Sequence, residues 1–145
     1  MRPVQVLVVF SLFLFMIGEH KAQNERFPII FSSNSKDTVG IMLGRAMEKA
    51  IDQSFHLRPG QDKEPHLVLT MVSREIRSGG KSKRSPIQPM SVIGLVWSAK
   101  TDPASPLIYV DMMVDTCSLS AIRDYTKTVE VETLKRLNWI RLSFK

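Results

Sequence analysis

Leu67 to Ile76 reads LVLTMVSREI, Ser91 to Ala99 reads SVIGLVWSA, and Leu107 to Thr116 reads LIYVDMMVDT. All three runs are rich in the apolar and β-branched residues that suit strands, and each is bounded by polar or turn-forming residues. In the first, Leu67, Leu69 and Met71 share one parity while Val68, Thr70 and Val72 share the other, so both faces of that strand are expected to be covered. The segment KTDPASP (Lys100 to Pro106) joins the second and third runs, and its Asp102-Pro103 and Ser105-Pro106 pairs are turn signals. A hairpin with a loose loop follows.

Outward from these strands, Phe27 to Ser32 (FPIIFS) reads as a first strand, with Pro28 near its start favouring a first or edge position. Ser35 or Asp37 can cap a helix whose apolar positions Val39, Met42, Leu43, Ala46, Ala50 and Phe55 recur at helical spacing. Its end is expected near Leu57, before Arg58, Pro59 and Gly60. Ser118 or Ser120 can cap a second helix through Leu137, with Ile122, Tyr125, Val129, Thr133 and Leu137 as one stripe. Asn138 is a stop signal, and Ile140, Leu142 and Phe144 then alternate as a final strand. The order β-α-β-β-β-α-(β) predicts an α+β fold: one mostly antiparallel sheet of four to five strands with two helices on one face.

The stretches VGIMLGRAMEKAIDQSFHL, HLVLTMVSREI, SVIGLVW and PLIYVDMMVDTC resemble small, uncharacterised bacterial periplasmic α/β proteins. More distantly they are similar to the N-terminal α/β domain of the Tol-system propeller protein and to envelope assembly accessory domains. The resemblance lies in element order and apolar pattern over most of the chain after its first residues, and it carries no functional residues across.

Those first residues are a separate matter. Arg2 precedes an apolar run from Val4 to Ile17, and polar residues resume at Glu19, His20 and Lys21. A basic start with a short apolar core reads as an export signal, and the run is shorter than the roughly 20 residues a spanning helix uses. Residues 1–22 are therefore expected to be a cleaved signal and residues 23–145 a single α/β domain, with an uncleaved inner-membrane anchor as the alternative. The lone cysteine excludes an intramolecular disulfide framework and places the exported chain more readily in a bacterial periplasm than among disulfide-rich secreted domains.

The chain of 145 residues carries 20 Lys and Arg against 14 Asp and Glu. Removal of the signal takes two cations and one carboxylate with it, so the basic excess remains. Nucleic acid is not the expected partner, because export removes the chain from it and no aromatic residues interleave with the cations. The densest cationic stretch is GGKSKRS (Gly79 to Ser85), with Lys81, Lys83 and Arg84; it lacks the phosphate-loop spacing and suits an anionic envelope component or an acidic protein face.

Catalytic chemistry is sparse. His56 and His66 have no ligand-spaced partners, so no metal and no cofactor are expected. Asp111 and Asp115 share a strand face about 13 Å apart, beyond the roughly 9.5 Å limit for a glycosidase pair. No Gly-x-Ser-x-Gly elbow is present and no catalytic residue is assigned. Cys117, before the second helix, is the candidate reactive thiol, since a helix N-terminus can lower a thiol pKa.

With Ile93, Leu95 and Trp97 facing the helices alongside Val110, Met112 and Val114, the opposite face is expected to carry Val92, Val96, Tyr109 and Met113. That back face is more apolar than solvent requires, so Tyr109 and Met113 join the cationic loop as candidate binding residues, with an envelope protein or a dimer mate as occupant. Membrane contact is confined to an uncleaved N-terminal segment or the tail from Trp139 to Lys145. The leading expectation is an exported, periplasmic, non-enzymatic binding or envelope-accessory protein. The alternatives are a small thiol-dependent enzyme or redox protein using Cys117, and a membrane-anchored structural subunit.

Overall fold

The computed structural model describes residues 26–76 and 88–143. The expected signal, the Lys81, Lys83 and Arg84 cluster and the last two residues lie outside them. The elements are β1 (Phe27–Asn34), α1 (Thr38–Gln53), β2 (Leu57–Pro59), β3 (His66–Glu75), β4 (Met90–Lys100), β5 (Ile108–Ser118), a 3-10 turn (Leu119–Ala121) and α2 (Ile122–Ser143). The fold is α+β, with one mixed sheet in the order β2-β1-β3-β4-β5 and two helices packed on one face. β3, β4 and β5 form the antiparallel meander, while β1 runs parallel to both neighbours.

The position of Pro28 follows from hydrogen bonding. Phe27 N–H donates to His56 O, and Ile29 O accepts from Gly60 N–H, so these residues turn their polar groups toward β2. Pro28 therefore presents its missing N–H on the β3 side, where pairing begins only at Ile29 with Leu67. A proline is tolerated in an otherwise flanked strand because its own position is still an edge.

The core is the helix face of the sheet. Leu67, Leu69, Met71, Ile93, Leu95 and Trp97 are all 0% exposed, covered by Val39, Leu43, Met47 and Ile51 of α1 and by Tyr125, Val129, Leu137 and Ile140 of α2. No helix among the described residues is long and apolar enough to cross a membrane.

Three expectations are corrected. α1 ends at Gln53, not near Leu57, because the Ser54 hydroxyl accepts from the N–H groups of His56 and Leu57 and turns the chain. Arg26 also takes the Ile51 and Asp52 carbonyls, satisfying helix-end groups that a longer helix would use internally. Leu57 to Pro59 then form the short parallel strand β2, and Phe55, read as part of the helix stripe, is 93% exposed.

α2 does not stop at Asn138. Leu137 and Ile140 continue the stripe at three-residue spacing and are both buried, so the pattern that resembles strand alternation is the helix's own inner face. No strand follows α2 among the described residues.

The third correction concerns β5. Trp97 pairs with Asp111 but Ser98 pairs with Tyr109, leaving Val110 as an extra residue in a bulge. Side chains beyond the bulge change sides relative to a regular strand. Met113 lies opposite Leu95 on the helix face, and Met112 and Val114 take the open face at 56% and 62% exposure. Tyr109 keeps its expected side.

Candidate binding surfaces

The open face of the sheet gathers the exposed apolar side chains Val72, Val92, Tyr109, Met112 and Val114, from three adjacent strands. Val68, Thr70, Gly94 and Val96 fill the centre between them at intermediate exposure. By strand parity the charged residues of β3 and β4 on this face sit near the strand ends, Arg74 at one and Lys100 at the other. Among the described residues the centre of the face carries no charge. Of the two candidates on this strand, Tyr109 belongs to it at 63% exposure, and Met113 does not.

Among the described residues β5 is also an edge of the sheet, and its carboxylates act on that strand. Asp111 Oδ1 accepts from Met112 N–H at 2.8 Å, and Asp115 Oδ1 accepts from Thr116 N–H at 2.7 Å. These N–H groups are thereby satisfied by side chains instead of being offered to an incoming strand. Asp111 has a further partner in Arg136, 2.7 Å from its Oδ2. Both aspartates therefore cap N–H groups of β5, and Asp111 also anchors α2.

Arg136 organises a network that sequence reasoning did not find. Its guanidinium lies 4.0 Å from the Trp97 ring centroid and also pairs with Glu132 at 2.7 Å. Trp97 Nε1–H donates to Thr133 Oγ at 3.0 Å, and Thr133 in turn donates to Val129 O. The signal available in sequence was Thr133 within an otherwise apolar stripe, a polar position that needs a buried partner.

A second cluster lies at the start of α1. Asp37 is the N-cap, accepting from Gly40 N–H at 2.9 Å; Ser91 Oγ donates to it at 2.6 Å and Ser73 Oγ donates to its other oxygen. Burial pushes the Asp37 pKa up, but the bonds from Ser73, Ser91 and Gly40 together outweigh that and hold it below its ordinary value. One carboxylate thus joins α1, β3 and β4.

Cys117 is 1% exposed, and its thiol lies 3.4 Å from the Ser118 carbonyl. Burial, with the nearby Asp115 carboxylate, pushes the thiol pKa up, opposite to the shift that makes a nucleophile. The neighbouring Tyr125 hydroxyl is pushed up to about 12, first by burial and then by Asp115 and Cys117.

His66 is buried, and its Nδ1 donates to the Glu64 carbonyl at 2.6 Å while Nε2 lies 3.8 Å from Asp62. No group of three or more His, Cys, Asp or Glu residues with metal-holding geometry occurs among the described residues. No family model, curated protein or solved structure matches the chain.

Proposed function

We propose that this chain is an exported, non-enzymatic binding domain of the cell envelope, working in the periplasm and taking a protein partner on the open face of its sheet. The carrying observation is that face: Tyr109, Met112 and Val114 are each more than half exposed on one side of a strand whose other side packs Val110, Met113 and Cys117 against the core. Exposed apolar side chains grouped in this way cost solubility, and a partner surface that covers them recovers the loss. Export is supported by the basic start and apolar run of residues 1–17.

The uncharged centre favours a partner whose contact surface is itself apolar. The satisfied N–H groups on β5 favour docking across the face over strand addition at the edge. The test places a photo-crosslinking residue at Met112, on the face, or at Lys127, on the exposed side of α2, in intact cells. A discrete adduct from position 112 that is absent from 127 is the expected result. Equal labelling from both positions, or none from 112 together with a strict monomer by light scattering, overturns the reading. N-terminal sequencing of the same material decides between a cleaved signal and the anchored subunit.

A further inference from the structure

At the end of the sheet where β1 begins, a cavity of about 590 Å³ opens between the first strand, the segment after β2 and the last turn of α2. Among the described residues its charged lining is three guanidinium groups, Arg26, Arg58 and Arg141, against one carboxylate, Glu64. Phe27 and Pro28 supply apolar walls. The volume is in the range of small-molecule sites.

The three arginines differ in what already occupies them. Arg58 is spent on Glu64, with its two terminal nitrogens 2.9 and 2.5 Å from the two carboxylate oxygens. Arg26 is fixed by backbone: Nε donates to Leu57 O at 2.5 Å, and Nη2 donates to Ile51 O at 3.0 Å and Asp52 O at 2.8 Å. Among the described residues those three bonds leave the two N–H groups of Nη1 without a partner, on a guanidinium that folding has already immobilised. Arg141 lies with its guanidinium 5.4 Å from the Phe27 ring centroid and has no carboxylate partner among the described residues.

An adjoining cavity of about 290 Å³ shares Phe27 and Arg141 and adds Lys100 and Ile140. Cationic excess and apolar surface therefore meet in one place. Asp62, a further carboxylate of this region, lies 3.8 Å from His66 Nε2.

We infer that this cleft is a binding site for a small organic anion, a carboxylate or phosphate monoester whose charged end meets Arg141 and Arg26 and whose apolar body lies against Phe27, Pro28 and Ile140. Guanidinium groups suit this role because their fork of N–H donors matches planar and tetrahedral oxyanions, and a partly fixed fork loses less freedom on binding. None of Tyr109, Met112 and Val114 lines either cavity, so this reading and that of the open sheet face stand or fall independently.

The test titrates phenyl phosphate into the isotopically labelled mature protein and follows amide shifts by NMR. Saturable binding at or below the millimolar range, with shifts centred on Phe27, Arg58, Glu64 and Arg141, is expected. Arg141→Gln should weaken it by roughly tenfold or more while Arg141→Lys recovers part of the loss. Neutral benzyl alcohol should bind more weakly than phenyl phosphate.

Absence of saturation to about 10 mM, shifts centred elsewhere, or an unchanged affinity in Arg141→Gln overturns the site. The shift map comes from the unsubstituted protein and so does not depend on a variant folding. Vesicles containing phosphatidic acid, whose headgroup is a phosphate monoester, added as competitor separate the sources: displacement of bound phenyl phosphate supports the site with a lipid headgroup as its anion, and retention supports it with a free soluble anion.

Discussion

Asp37 shows how a single side chain fixes the relation of a helix to a sheet. Its ionised form accepts from Ser73, Ser91 and Gly40, so its folded-state pKa lies below the unfolded value of about 3.9. The stabilisation is complete above that unfolded value and is lost as the pH falls through the folded pKa. Asp37→Asn keeps a good cap but removes the charge. It should cost on the order of 1 kcal/mol near pH 7, and that cost should shrink as the pH falls through the folded-state pKa, measured by urea unfolding across pH. A pH-independent difference would assign the effect to shape instead.

The same junction makes two glycines of one helix behave in opposite ways. A Cβ on Gly40 would collide with Ser73 Oγ and lie 2.7 Å from Ser35 Cβ, whereas on Gly44 the nearest atom is 3.4 Å away. Gly40→Ala should therefore destabilise by about 2 kcal/mol or more, through overpacking and loss of the Ser73 bond to Asp37. Gly44→Ala should be neutral or stabilising by up to about 1 kcal/mol, since alanine is the better helix former. Equal denaturation midpoints for the two variants would remove the close approach at Gly40 from the account.

At the scale of elements, legibility tracked how local the determining interaction was. The β3, β4 and β5 runs and both helices could be read because apolar spacing along one segment decides each of them. The early end of α1 could not, since it depends on Arg26 reaching the Ile51 and Asp52 carbonyls from a distant segment. β2 could not either, because three residues carry no periodicity. The bulge at Val110 hid for a related reason: regular alternation is the only strand rule sequence offers, and one inserted residue exchanged Met113 for Met112 and Val114 on the open face.

The end of α2 was misread for the opposite reason. Ile140 fits a strand pattern with Leu142 and Phe144 as well as a helix pattern with Leu137, and only its burial decides. A proline tests the assignment directly. Asn138→Pro should cost about 3 kcal/mol, because it places a proline inside a helix that continues to Ser143. A junction between a helix and a strand would accept the same substitution with little loss of thermal stability.

For the whole molecule, the asymmetry between the two faces of the sheet connects fold to proposed function. Both helices cover one face, joined to it by the Asp37 cluster and by Arg136 over Trp97, so that side is committed to stability. The other side carries Met112 and Val114, whose truncation or replacement removes few core contacts. Met112→Glu with Val114→Glu should leave the unfolding free energy within about 0.5 kcal/mol of the parent, as expected for exposed positions. The same pair should abolish the face-specific adduct, because an apolar partner surface would have to bury two unpaired carboxylates. Leu95→Glu, at 0% exposure on the opposite side of the neighbouring strand, should prevent folding altogether. If the double variant unfolds with Leu95→Glu, the open face belongs to the core's stability; if it folds and still forms the adduct, the partner docks elsewhere. Only a folded domain without the adduct assigns recognition to this side of the sheet.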